Sequence, residues 1–343
     1  MKKNGTFVVM LSLLLALGMT VVSCGDKKSG DSTSPGGTYP GSTNPGGTNP
    51  GSTGPGSTDP GNSGYTYTVS GGNITITGYT GASTNLIVPS TIDGKPVTAI
   101  RYSAFSGRTN LISVSLPNSV TTIGNYAFSS CTNLTSVTLG TSVTTIEHHA
   151  FMGSGLASVT LPNSVTSIGT NAFTSCPILT SVTLGSGVTT LGDNVFVVCP
   201  QLSAIHVSAN NATYSDSGGV LFNKAGTTLI TYPAGKGATY TIPSGTTTIG
   251  KSAFQNVSGL TSVTLAAGIT SIGEDAFYAC SNLSSVIFTG ATPPSVPYAN
   301  TFANTALAGT SGSVKAPGGA TGAYASLVGS RRLPSAAKWS GYP

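Results

Sequence analysis

The sequence repeats a unit of about 23 residues over most of its length. Phenylalanine marks the period and recurs in steps of 23, 23, 22, 23, 58 and 23 residues, at Phe105, Phe128, Phe151, Phe173, Phe196, Phe254 and Phe277. A partial further unit begins at Phe302. The consensus of the units is V-x-x-I-G-x-x-A-F-x-x-C-x-x-L-x-x-V-x-L-P. A fixed period of this length is typical of repeat architectures, in which one supersecondary unit is stacked many times.

Each unit contains two extended pieces and two turns. The segment LTSVTL alternates inward Val137 and Leu139 with outward Ser136 and Thr138, the pattern of a half-buried strand. VTTI is a second extended piece, and NYAFSSC is predicted to be a compact turn or short helix. One unit has a single apolar side, so stacked units bury each other and place strands about 4.8 Å apart. We therefore predict a mainly β repeat solenoid with rungs of 22–23 residues, short strands and short helical turns.

The unit A-F-x-x-C-x-x-L-x-x-V-x-L-P resembles the BspA-type leucine-rich repeat, also called the Treponema pallidum-type repeat, of surface proteins from host-associated bacteria. The resemblance implies a right-handed leucine-rich-repeat coil at 105–307, an N-terminal cap at 65–104 and a C-terminal cap segment at 308–343. It also implies a lengthened, hairpin-bearing repeat near 207–240, within the long step. Val195 in place of alanine and the insertion LVGSRRLPS depart from the family pattern.

Residues 1–23 have the features of an export signal. Lys2 and Lys3 give a positively charged N-terminal region. The apolar run from Phe7 to Val22 is shorter than a typical transmembrane helix. The tetrapeptide ending in Cys24 resembles the bacterial lipobox, which implies that Cys24 is lipidated and becomes the new N-terminus. Several acyl chains anchor a protein firmly. We expect an exported, surface-exposed outer-membrane lipoprotein of the bacterial envelope, held to the membrane only by this anchor.

Residues 24–64 are predicted to form a lipidated N-terminus followed by a disordered stalk. Pro-Gly recurs every five residues from position 35 to position 60, between Gly, Ser, Thr and Asn. Such a segment buries too little apolar surface to offset the entropy of ordering. Fully extended, it spans up to roughly 100 Å, so it would hold the repeat domain away from the membrane.

The charge content of the chain excludes several classes of function. Charged residues are 7% of the chain, against about 25% in a typical soluble domain. The net charge of +5 provides no basic stripe for phosphates, so we predict no nucleic-acid partner. Nine acidic residues leave little for general acid–base chemistry, and no nucleophile–base pair or phosphate-binding glycine loop is present in the sequence. We predict a protein that is not an enzyme and uses no cofactor.

Four cysteines occupy one position of the repeat. Cys131, Cys176, Cys199 and Cys280 each follow the repeat phenylalanine by three residues, which predicts small buried side chains. Only Cys176 and Cys199, on adjacent rungs, come within reach of a disulfide. Free buried thiols are the prediction for all four.

Two polar clusters suggest a metal but lack its ligand spacing. Glu147, His148 and His149 are adjacent on an extended stretch and form no H-E-x-x-H helix, so we interpret them as a solvated variant of the turn. Asp216, with Asn210 and Asn211, lacks the spacing of a calcium loop and is interpreted as a turn leading into the hairpin. No metal site is predicted.

Hydroxyl side chains recur at the outward strand positions and form columns along the solenoid. The central ones are Ser136, Thr138, Ser158, Thr160, Ser181 and Thr183, and His206 interrupts a column. Hydroxyls also simply solvate a strand, but repeat solenoids use such broad faces for binding. We predict a docking surface on the central rungs, which run without interruption from Leu116 to Leu184.

The functional hypothesis is a monomeric, lipid-anchored module for binding or adhesion. The family resemblance implies partners such as host extracellular-matrix proteins, other bacterial surfaces or glycans. The alternative is a structural or accessory envelope lipoprotein, a scaffold that does not bind the host.

Overall fold

The computed structural model describes residues 64–308, 312–317, 323 and 338–342. The predictions for the leader, for Cys24 and the stalk, and for most of the C-terminal cap lie outside these residues. The described residues form twenty-four short strands and one 3₁₀ helix, Ala306–Ala308. None of their helical structure is long and apolar enough to cross a membrane.

The described chain begins with a β-hairpin and the first turn of the coil. These comprise β1 (Tyr65–Ser70), β2 (Asn73–Tyr79), β3 (Asn85–Ile87), β4 (Thr91–Ile92) and β5 (Lys95–Ile100). Strands β1 and β2 pair antiparallel across Gly71 and Gly72, whose φ angles are +56° and +79°. Positive φ at both positions suits glycine and fits the twist of a tight hairpin. Strand β2 then pairs parallel with β5, and this pairing starts the solenoid.

Regular rungs carry two short strands each. The S-V-T segments and their equivalents form β6 (Ser113–Ser115), β8 (Ser136–Thr138), β10 (Ser158–Thr160), β12 (Ser181–Leu184), β14 (Ala204–Val207), β18 (Thr239–Thr241), β20 (Ser262–Leu265) and β22 (Ser285–Phe288). The T-I segments form β7 (Thr122–Ile123), β9 (Thr145–Ile146), β11 (Ser167–Ile168), β13 (Thr190–Leu191), β19 (Thr248–Ile249) and β21 (Ser271–Ile272). Strands of neighbouring rungs pair in parallel, for example Val159 with Val182. The predicted β-solenoid with rungs of about 23 residues is confirmed.

The corner around each phenylalanine is a turn with alternating left-handed residues. Tyr126 and Ser130, two residues on either side of Phe128, have φ angles of +57° and +59°. Asn171 and Ser175 repeat this geometry two rungs further on, with φ angles of +58° and +60°. Isolated left-handed residues interrupt helical hydrogen bonding. The predicted short helical turns are therefore non-helical turns in these rungs.

Aromatic rings stack from rung to rung through the core. Ring centroids lie 5.0, 5.2, 5.2 and 5.9 Å apart along the series Phe105, Phe128, Phe151, Phe173 and Phe196. A second series runs through Tyr232, Phe254, Phe277 and Phe302, with centroid separations of 5.0, 4.7 and 5.0 Å. Offset stacking adds to the stabilisation from burial alone. Each rung thus completes the burial of the rung before it.

The lengthened repeat inserts an antiparallel unit into the coil. It contains β15 (Tyr214–Ser217), β16 (Val220–Asn223) and β17 (Thr228–Thr231), and β17 rejoins the parallel coil by pairing with β19. The hydrophobic core divides here into two clusters, one that includes Leu221 and one that begins at Val220. At the C-terminal end, β23 (Ser313–Pro317) and β24 (Lys338–Tyr342) extend the sheet of β22 in parallel.

All four repeat cysteines are buried free thiols, as their position predicts. Cys131 Sγ donates to the carbonyl oxygen of Phe105 at 3.1 Å, and Cys280 Sγ to that of Phe254 at 2.9 Å. Burial raises the pKa of Cys131 to about 11 and that of Cys280 to about 12. These thiols therefore stay protonated at neutral pH and act as small packing groups.

Replacing Phe173 by alanine tests the stacking directly. The ring is fully buried between Phe151 and Phe196. Phe173→Ala is therefore expected to lower the free energy of unfolding by about 3–5 kcal/mol, through lost burial and the cavity left behind. Ile178→Ala, at a side chain that is 45% exposed on the same rung, is the control and should change stability far less. Equal effects of the two changes in denaturant unfolding would contradict the stacked core.

Candidate functional site

The predicted hydroxyl columns exist on the strand face, which we define as the outward side of β6, β8, β10, β12 and β14. Ser158 pairs in register with Ser181, and Thr160 with Thr183 and then His206. The side chains of Ser136, Thr138, Ser158, Thr160 and His206 are exposed, and those of Ser181 and Thr183 are half-exposed. The alternation in the sequence therefore identifies outward residues correctly.

The columns are not continuous, however. Ser136 and Thr138 pair with Ser113 and Ser115 in the sheet β3-β6-β8, whereas Ser158 and its partners belong to the separate sheet β10-β12-β14. The rungs from Leu116 to Leu184 remain stacked on the side of β7, β9 and β11, but the predicted continuity of the hydroxyl columns over this range is wrong. The strand face is divided between β8 and β10.

A one-residue deletion in the repeat explains the division. Leucine follows the repeat phenylalanine by six residues from Phe128 to Leu134, but by five from Phe151 to Leu156. Gly155 occupies the shortened segment, and a Cβ at this position would collide with the carbonyl group of Thr132. The shortened turn passes close under the preceding rung, and the strand that follows it no longer pairs with β8.

The backbone hydrogen bonds show how far the two strands separate. In regular rungs the N–H of Leu116 donates to Thr138 O, and that of Leu161 to Thr183 O, both at 2.9 Å. Between 135–139 and 157–161, both fully described, no strand pairing forms, and the Ala157 N–H donates to Thr135 O at 3.2 Å. The N–H of Leu139 has no backbone partner in the described chain. The ladder is therefore open at the end of β8.

The opening is a cleft of about 360 Å³. Its lining comprises Ser136, Val137, Thr138, Leu139, Ser158, Thr160 and Pro162. Val137 and Leu139 are half-buried here, whereas their equivalents Val182 and Leu184 on β12 are fully buried. The cleft thus combines an apolar floor with hydroxyl walls and contains no charged side chain. Its groups can donate and accept hydrogen bonds and cover apolar surface, but they supply no acid, base or activated nucleophile.

The Glu147-His148-His149 segment is more ordered than the predicted solvated turn. Glu147 Oε2 accepts hydrogen bonds from the N–H and Nδ2 of Asn125, at 2.9 and 2.8 Å. The ring of His149 stacks on Tyr126 with centroids 4.5 Å apart. Burial, with a smaller effect of neighbouring His148, lowers the pKa of His149. The segment joins two rungs, and no group of three metal-ligating side chains occurs among the described residues.

Asp216 and Asn211 fix the base of the hairpin. Asp216 Oδ1 accepts the Val207 N–H at 2.8 Å, and its Oδ2 accepts the Gly219 N–H at 3.2 Å. Asn211 is buried, and its Nδ2 donates to the carbonyl oxygens of Gly185 and Val188 at 2.9 and 3.0 Å. The carboxylate and the amide are thus used by the backbone. The structure supports the turn interpretation, with a stabilising role that the sequence did not reveal.

The fold and this site together define a class: a parallel β-solenoid whose outward face is lined by hydroxyls and interrupted by an uncharged cleft. Residues 98–218 and 236–308, more than half of the chain, match the BspA type leucine rich repeat region in six copies. The chain belongs to this family of repeat proteins.

The chain is also similar to several solved structures. A leucine-rich repeat protein from Eubacterium ventriosum is 24% identical, with a TM-score of 0.53 over 75% of this chain and 77% of its own. The leucine rich repeat protein of T. pallidum is 27% identical, with a TM-score of 0.45 over 64% of this chain and 87% of its own. A leucine rich cell surface protein from Faecalibacterium prausnitzii is 23% identical, with a TM-score of 0.41 over 81% of this chain and 94% of its own. None of the curated proteins compared with the chain matches it.

Proposed function

We propose that this protein is a non-catalytic binding module and that the cleft between β8 and β10 is its docking site. The observation that carries the proposal is the half-buried pair Val137 and Leu139, exposed at the bottom of a cleft whose walls bear Ser136 and Thr160. A partly apolar floor with a polar rim resembles the composition of many recognition sites. This apolar surface is available to a partner without any unfolding of the coil.

The chemistry of the cleft favours an uncharged partner surface. No side chain that lines it carries a charge, so the cleft offers neither an ion pair nor long-range electrostatic steering. A protein segment with small apolar side chains or a glycan fits a broad, hydroxyl-lined face better than a small molecule does. We propose host extracellular-matrix proteins, other bacterial surfaces or glycans as the partners, bound by a single copy of the chain.

The proposed location is the bacterial cell surface. The charged start and apolar run of residues 1–23, with Cys24 after them, support export and lipid anchoring, and the Pro-Gly segment that follows supports a stalk. A binding module held in this way would stand away from the membrane, where a partner can reach it.

Arginine substitutions in the cleft test the docking site. Thr138→Arg combined with Thr160→Arg should weaken binding at least tenfold to any partner found in a screen of purified matrix proteins and a glycan array. Two long cations would fill the cleft without touching the core. Thr264→Arg is the matched control, since Thr264 occupies the same repeat position on β20. It should leave affinity unchanged, and exposed substitutions of this kind alter stability by only about 0.5 kcal/mol.

Unchanged affinity in a folded double variant would show that the partner docks outside the cleft.

Protease treatment of intact cells distinguishes a surface-exposed binding module from the scaffold alternative. A surface adhesin loses its repeat domain to the protease, whereas an internal scaffold keeps it.

Mass spectrometry of the mature protein tests the anchor. The mature chain is expected to begin at a lipidated Cys24, and Cys24→Ser should release or mislocalise the protein. An unmodified Cys24 inside a longer mature chain would contradict the anchor.

A further inference from the structure

The end of β8 carries backbone groups that regular rungs use to pair with the next rung. In a parallel ladder, the N–H and the C=O of one residue both face the same neighbouring strand. The Leu116 N–H donates to Thr138 O of the following rung at 2.9 Å. The Leu161 N–H donates to Thr183 O at the same distance. Leu139 holds this repeat position on β8, so its N–H and C=O are the groups that face β10.

These groups are not used where β8 meets β10. In the described chain, the Leu139 N–H has no backbone acceptor, and no backbone N–H donates to the Leu139 carbonyl oxygen. The bond from Leu139 to Thr160 O that the regular rungs would predict is absent, so Thr160 O lacks its regular donor. Both residues line the cleft. The cleft therefore contains backbone groups of an incomplete ladder.

Pro162 prevents the ladder from closing at this point. In two other rungs, the residue after the strand donates its N–H to the rung before, Ser208 to Leu184 O at 2.9 Å and Thr289 to Leu265 O at 3.0 Å. Residue 162 is the equivalent position after β10, and proline has no N–H. Proline at the edge of a sheet commonly leaves the neighbouring strand unpaired. The open end of β8 is thus encoded in the sequence.

The walls of the cleft set the side-chain pattern of a segment that could bond these groups. A residue paired with Leu139 directs its side chain to the same face as Leu139, towards the half-buried Val137. Its two neighbours point the opposite way, beside the hydroxyls of Thr138 and Thr160. No charged side chain is among the described residues that line the cleft. The matching segment is uncharged, with one apolar residue between two small polar residues.

We propose that the partner docks at this cleft through an extended, uncharged peptide segment that pairs with the end of β8. One carbonyl oxygen of the segment accepts the Leu139 N–H, and one N–H of the segment donates to the Leu139 carbonyl oxygen. When an extended peptide is added to an open strand edge, its main-chain bonds provide affinity and its alternate side chains provide specificity. The inference rests on the proposed function, because it names the partner class of the same cleft.

NMR titration of the full chain with short peptides tests the pairing. The probe is acetyl-Gly-Ser-Thr-Val-Thr-Ser-Gly-amide, which should bind saturably and slow hydrogen exchange of the Leu139 amide at least tenfold. The Phe196 amide is the control, since it also lacks a backbone partner in the described chain but does not line the cleft. Its exchange should not change.

Two analogues of the probe test the two features of the segment. N-methylation of the three central residues removes the donors for the Leu139 carbonyl oxygen and should weaken binding at least tenfold. Lysine in place of the valine would bring a charge onto the apolar floor and should weaken binding by a similar factor. Equal affinity of the N-methylated analogue and the probe would overturn backbone pairing.

Protein variants separate this inference from the proposed function. Thr138→Arg combined with Thr160→Arg should abolish binding of the probe, and Thr264→Arg, on β20, should leave it unchanged. Equal binding of the probe to the wild-type chain and the double variant would overturn both the pairing and the cleft as a docking site. The pairing alone is overturned if the probe does not bind, while a glycan binds the wild-type chain and loses affinity in the double variant.

Discussion

The backbone hydrogen-bond ladder between successive rungs is the interaction on which the rest of this structure depends. At the corners, where no helix or wide sheet satisfies the peptide groups, the Phe105 N–H donates to Ala127 O at 2.8 Å and the Phe128 N–H to Ala150 O at 2.7 Å. Buried peptide groups need such partners. The ladder also sets the rise per rung close to the separation of stacked rings, so that hydrogen bonding and aromatic packing reinforce each other at one repeat length.

Because both interactions share one period, the solenoid tolerates substitution more readily than a change in length. Cysteine, serine or valine can occupy the position three residues after the phenylalanine, but loss of a residue between Phe151 and Leu156 separates β8 from β10. Loss of two residues before Tyr232 interrupts the corner ladder and the ring series. Each deletion leaves a cavity, which is hydroxyl-walled in the first case and lined in part by Lys251 and Asp193 in the second. The cavities therefore arise where the repeat is shortened.

Features that depend only on a single rung and on the repeat period could be predicted from the sequence. Alternation in LTSVTL identified the outward hydroxyls such as Ser136 and Thr138, and the cysteine position correctly indicated buried thiols. It did not predict the left-handed corners, since φ is fixed by closure of the coil as well as by residue type. The prediction that the hydroxyl columns continue past β8 was wrong. The 22-residue step in the sequence shows that one residue is missing, but it does not show how the backbone changes as a result. The stacking of His149 on Tyr126 joins two rungs, so it could not be predicted from the pattern within one rung.

Amide hydrogen exchange across the ladder tests the central claim, that shortened repeats open the ladder where the cavities form. The amides of Leu139 and Phe196 have no backbone partner in the described chain, whereas those of Leu116, Leu161 and Phe173 are bonded to the next rung. The account predicts that Leu139 and Phe196 exchange roughly a hundredfold faster than these three amides under native conditions, because local openings are not needed to expose them. Protection of Leu139 and Phe196 equal to that of Leu161 and Phe173 would show a closed ladder and contradict the account.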